Sequence, residues 1–138
     1  MTPEERAYVN YRMERAFEAR DEAQVLLEAG HYSASANRLY YACFYAVSAL
    51  LLAHGMSSVK HAGVRDMFNQ SFVRTGKVTK NLGRFYNRLF VLRHKCDYED
   101  LFKVSRESLA NILSDSDLFL ATINALIQSA VGVHGDIE

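Results

Sequence analysis

Apolar residues recur with helical spacing along most of the chain, and one stretch breaks that rhythm. From Leu39 to Ala53 no charged residue occurs, with Asn37-Arg38 before the run and His54-Gly55 after it. A helix that is apolar on every side is a buried one, and this run is shorter than the roughly 20 residues needed to span a bilayer. The pattern therefore predicts a central core helix over residues 33–54, stopped by Gly55, with a polar pair at its mouth.

The flanking segments read as amphipathic helices that wrap it. Thr2-Pro3-Glu4-Glu5 combines a capping hydroxyl, a proline suited to the first helical position and a glutamate that completes a capping box. Helix one is expected to run to about Glu28, with Gly30 as its stop and Ala16, Phe17, Ala19, Ala23, Leu26 and Leu27 inward. A shorter helix over 59–72 carries Val64, Met67, Phe68 and Phe72, and Arg74-Thr75-Gly76-Lys77 interrupts it. A fourth helix follows Thr79 and reaches about Cys96, turning Leu82, Phe85, Tyr86, Leu89, Phe90 and Leu92 inward, before a connector at Asp97-Tyr98-Glu99-Asp100. Ser105 caps a last helix ending near Gly132, with a stripe of Leu109, Ile112, Leu113, Phe119, Ile123, Leu126 and Ile127. No β-type alternation of useful length appears. The expected fold is all-α: an antiparallel bundle of about five helices in a single domain over residues 1–138.

Composition agrees with a packed helical domain: one proline, seven glycines and 49% hydrophobic residues in 138. Formal net charge is zero, so bulk charge gives no reason to expect nucleic-acid affinity. The distribution adds something. Residues 58–95 carry nine Lys/Arg against Asp66, a net of +8, between a segment of −2 and one of −6. Such a basic middle is either neutralised internally or offers a face to an anionic partner. Cys43 and Cys96 are far apart and form no metal spacing, and no leader or membrane span is evident. A cytoplasmic protein with reduced thiols, no metal and no cofactor is the expectation.

Four motifs in order carry a family resemblance. They are Ala34-Ser35-Ala36-Asn37-Arg38-Leu39-Tyr40-Tyr41-Ala42-Cys43-Phe44-Tyr45-Ala46; Lys60-His61-Ala62-Gly63-Val64; Phe72-Val73-Arg74-Thr75-Gly76-Lys77; and Leu92-Arg93-His94-Lys95-Cys96-Asp97-Tyr98. Together, over roughly residues 5–128, they resemble the stand-alone prokaryotic branch of the HEPN domain family. The resemblance implies a helical bundle that forms homodimers, is often encoded beside a minimal nucleotidyltransferase, and sometimes belongs to a toxin–antitoxin pair. Catalytic members of the wider superfamily are metal-independent RNases whose signature is an arginine followed, after four to six residues, by a histidine. In that chemistry histidine moves the 2′-hydroxyl proton and arginine holds the phosphate. Counted from Arg93, the histidine positions fall on Tyr98, Glu99 and Asp100. The pair Arg88 and His94 fits the spacing, but six helical steps turn them about 120° apart.

The sequence thus leans away from an enzyme and toward an accessory or binding subunit that contacts nucleotide or RNA. A corner for nucleotide or phosphate is expected from Asn37, Arg38, Tyr41, His61, Arg93 and Tyr98, where arginine grips phosphate and tyrosine supplies a stacking face or hydroxyl. The competing reading is structural: Arg93 and Asp97 are i, i+4 neighbours that can pair on their own helix. The catalytic alternative is an endoribonuclease toxin working through Arg93, Asp97 and Tyr98; a third possibility is a purely structural interaction module. By analogy with toxin–antitoxin relatives, Tyr98 is also a candidate for modification with AMP by the partner transferase. Lys77, Lys80, Arg84 and Arg88 progress along one side of helix four as a solvated face or an anionic dock.

Overall fold

The computed structural model describes the backbone of residues 1–137 and the side chains through Val131. Five helices follow in order: α1 (Pro3–Glu28), α2 (Tyr32–Ala53), α3 (His61–Phe68), α4 (Lys80–Tyr98) and α5 (Arg106–Ile137), with a π-helical turn at Asn69–Val73 continuing α3. No strand occurs among the described residues. The all-α bundle expected from the sequence is the fold observed.

Local chemistry sets the helix ends. Thr2 Oγ1 accepts from the Glu5 N–H at 3.1 Å, and Thr79 Oγ1 and Ser105 Oγ do the same for Leu82 and Ser108. Gly30, at φ +84°, takes the left-handed conformation that closes α1 while the His31 N–H returns to the Leu26 carbonyl at 2.8 Å.

Helix α2 is the axis of the molecule. Leu39, Tyr40, Ala42, Cys43, Ala46, Val47, Ala49 and Leu50 are all fully buried, and α1, α3, α4 and α5 each pack against this helix. Helix α1 packs on α2 and buries Val9, Met13, Ala16, Ala19 and Ala23, and the alanines are small enough to let neighbouring backbones approach closely. Ser35 Oγ donates to the Ala23 carbonyl at 2.7 Å, while Arg12 and Ser48 line one cavity, so the two helices run antiparallel.

Several boundaries differ from the sequence-based expectation. The 59–72 helix starts only at His61 and passes into the π turn, whose Asn69 side chain donates to Asn87 on α4 at 3.2 Å. That turn lies against Gly83, where a Cβ would come within 2.9 Å of both Val73 methyl groups. Helix α4 continues through Asp97 and Tyr98 instead of yielding to a connector there, and α5 runs past Gly132 to Ile137. Phe17, expected inward, is 42% exposed, because Val9, Met13, Ala16 and Ala19 define the buried stripe of α1.

Candidate functional site

The first turns of α2, the last turns of α4 and the start of α3 converge on Tyr40 and Tyr41. Tyr40 is fully buried. Its ring stacks on Tyr86 (centroids 6.3 Å apart) and on His61 (5.7 Å), and meets Phe90 edge-on at 6.1 Å. The Tyr40 hydroxyl lies 2.8 Å from His61 Nδ1. Burial pushes the Tyr40 phenol up to about 12, with the Arg93 charge pulling the other way. The phenol therefore stays protonated, and its hydroxyl and His61 Nδ1 share one hydrogen bond whose direction follows the imidazole tautomer. His61 also stacks on Phe44 at 4.3 Å and meets Tyr41 edge-on at 5.7 Å. Burial and the nearby Arg93 charge both hold its imidazole below the usual histidine range, so it is neutral at pH 7.

Arg93 reaches over this aromatic floor from α4. Its guanidinium carbon sits 5.4 Å from the Tyr40 ring centroid and 5.7 Å from that of Tyr41, and Arg38 approaches the Tyr41 ring at 5.7 Å as well. Two cations thus approach one tyrosine ring, each an attractive partner for the ring quadrupole. Each also has a carboxylate: Arg93 Nε lies 3.2 Å from Asp97 Oδ2, and Arg38 Nη2 donates to Glu22 at 3.0 Å. Asn37 Nδ2 in turn donates to Asp97 at 3.3 Å. The Arg93 N–H is not aimed along its ion pair, however. The buried Nε groups of both Arg38 and Arg93 lack a hydrogen-bond acceptor among the described residues. A buried donor without an acceptor is uncommon enough to require a reason.

Asn37, Arg38, Tyr41, His61, Arg93 and Asp97 are therefore gathered in one corner. A family model for the HEPN domain matches residues 9–126, which hold all six.

This chain belongs to the HEPN domain family.

Among its relatives, a UPF0332 protein of Thermotoga maritima is 44% identical over 125 residues, 91% of this chain and 95% of that protein. A protein of Methanocaldococcus jannaschii named "Putative toxin MJ0605" is 33% identical over 77% of this chain and 78% of its own length, and "Putative toxin MJ0142" of the same organism is 29% identical over 78% and 74%. The crystal structure of TT1696 from Thermus thermophilus superposes with a TM-score of 0.72 at 19% identity, covering 86% of this chain and 97% of that one, which establishes a shared fold.

Within this HEPN domain Tyr98 stands apart from the corner. It is 66% exposed, and its ring lies against His94 at 4.7 Å. Arg88 turns toward Phe85 (6.0 Å to the ring), so Arg88 and His94 keep different company. Lys77, Lys80, Arg84 and Arg88 are all solvent-exposed at the start and along the side of α4. Among the described residues no group of three or more His, Cys, Asp or Glu could hold a metal, and no helix is long and apolar enough to cross a membrane. Sequence reasoning assigns Tyr40 to the core alone and misses that its hydroxyl links the core to His61. The single available signal is its place one turn before Phe44 on the apolar helix.

Proposed function

We propose that this HEPN protein is the accessory or toxin subunit of a toxin–antitoxin module and uses the Arg38–Arg93 corner to hold a phosphate-bearing ligand, a nucleotide or RNA. The observation that carries this reading is the pair of buried, acceptor-less Nε donors on two guanidiniums that both approach the Tyr41 ring. Phosphate oxygens are suited to such donors, and the tyrosine ring gives a base or sugar a flat neighbour. Similarity to two proteins named as putative toxins supports the module. A homodimer paired with a minimal nucleotidyltransferase in the cytoplasm completes the proposal, and Tyr98, exposed at the end of α4, is accessible to modification with AMP. Titration with ATP and AMP, followed by amide shifts around Tyr41 and Arg93, tests the corner. Saturable shifts lost in Arg93→Ala are expected; identical shifts in that variant remove the corner from consideration. Co-purification with the transferase encoded alongside tests the partnership.

One observation favours a second reading as a ribonuclease. Arg93 from α4 and neutral His61 from α3 meet on the same two tyrosines, bringing together in space the residue types that catalytic relatives place along one helix. Incubation with total RNA, with and without His61→Gln, separates binding from cleavage; no cleavage by the wild-type protein rejects this second reading.

A further inference from the structure

A separate cavity also borders His61. It occupies about 330 Å³ between the start of α1, the C-terminal half of α2 and the segment leading into α3. Leu51, Leu52, Val64 and Phe44 give it an apolar floor, and its polar wall consists of Arg12, Ser48, Ser57, Ser58 and His61. Every one of these polar groups can donate a hydrogen bond, and no aspartate or glutamate lines the space.

Three of the donors have capacity to spare. The Arg12 guanidinium donates to the Tyr8 hydroxyl at 2.9 Å and lies 5.1 Å from the Tyr8 ring, and among the described residues it has no carboxylate partner. Ser48 Oγ, on α2, is shielded from water and has no hydrogen-bond partner among the described residues. His61 adds a third: Nδ1 is engaged by Tyr40, which leaves Nε2 free for a ligand. The wall is held in place by Ser58, whose Oγ accepts from the Lys60 N–H at 3.3 Å and packs so closely on α3 that a Cβ at Gly63 would collide with it. Small-molecule sites take this form, an apolar hollow with a few convergent polar groups.

We infer that this cavity binds a small amphiphilic anion: a phosphate or carboxylate set against Arg12, Ser48 and His61, on an apolar body that fills the floor of Phe44, Leu51, Leu52 and Val64. A guanidinium without a carboxylate is the natural partner for either anion. The apolar floor requires more than a bare ion, and the volume limits the ligand to roughly the size of one aromatic ring with its charged group. The cavity shares His61 with the nucleotide corner but uses neither Arg38 nor Arg93.

The test uses three probes on the intact chain: phenyl phosphate, benzoate and inorganic phosphate, each titrated while amide shifts are followed. Phenyl phosphate, benzoate or both are expected to saturate shifts centred on Arg12, Ser48 and His61, and inorganic phosphate to bind at least tenfold more weakly. Arg12→Gln, a partly exposed helix position, should weaken the aromatic probes about tenfold with unchanged thermal unfolding, whereas Arg93→Gln should leave them unaffected. Ser48→Val gives a second check from the polar wall and should also weaken them. Shifts centred on Arg93, affinity indifferent to Arg12, or equal affinity for inorganic phosphate would each overturn the assignment.

Discussion

The two ends of α2 present arginine in opposite states. Near its N-terminus Arg38 and Arg93 are each tied to a carboxylate and laid over an aromatic floor. Beside its C-terminal half Arg12 holds only a tyrosine hydroxyl and faces a cavity lined by donors. The first arrangement fixes position at the expense of availability, because an incoming anion must share each guanidinium with Asp97 or Glu22. The second leaves charge available but held less firmly. A guanidinium's value to a ligand is thus set by its existing partners as much as by its presence, and charge counting along the sequence cannot separate the two cases.

The contrast is open to attack in several ways. Tyr40→Ala should have the largest effect: removing a fully buried ring that contacts several aromatic neighbours costs about 3–5 kcal/mol, read as a large fall in Tm. Tyr40→Phe keeps the ring and loses only the hydroxyl bond to His61, for about 1 kcal/mol. A Tyr40→Phe loss as large as that of Tyr40→Ala would show that the hydroxyl link, not ring packing, holds the corner. Arg93→Ala should cost about 1–3 kcal/mol, because the Arg93–Asp97 pair is only 19% and 30% exposed and the cation covers two rings. Arg12→Ala, with no carboxylate to abandon, should change unfolding by less than about 0.5 kcal/mol. If Arg12→Ala destabilises as much as Arg93→Ala, the distinction between tied and untied arginines is lost.

The smallest effect is in pH. His61 is held below its unfolded pKa of about 6.5, so between the two values the unfolded chain binds the extra proton. Its contribution to stability is complete above about pH 6.5 and falls as the solution is acidified toward the folded value. Thermal unfolding from pH 8 to 5 should show that decline, and His61→Gln should flatten it. A decline unchanged in His61→Gln would place the sensitive group elsewhere.

Much of the fold is legible from the chain because the unbroken apolar run at Leu39–Ala53 has only one stable environment, enclosed by other helices. Capping residues Thr2, Thr79 and Ser105 mark three helix starts by a mechanism equally local: each offers an oxygen to an otherwise unpaired N–H. What escapes is whatever depends on neighbours distant in sequence. Phe17 belongs to the apolar set of α1, yet the buried face is chosen by the alanines that fit against α2. The sequence anticipates a corner containing His61 and Arg93, but not that both seat on the buried Tyr40, since that contact joins three helices and no local spacing encodes it. Tyr98 illustrates the converse: close to Arg93 in sequence, it is carried around α4 to the side of His94.

The wide turn at Asn69–Val73 has a consequence for how this chain tolerates change in length. A π turn holds one residue more than the α-helical ladder it continues would require. Removing a single amino acid there, such as exposed Gln70, would let the end of α3 relax to ordinary α geometry, with the preceding helix unshifted and the following turn taking up the change. The same deletion in the middle of α4 would rotate every later side chain by about 100° and carry Arg93 off the tyrosines.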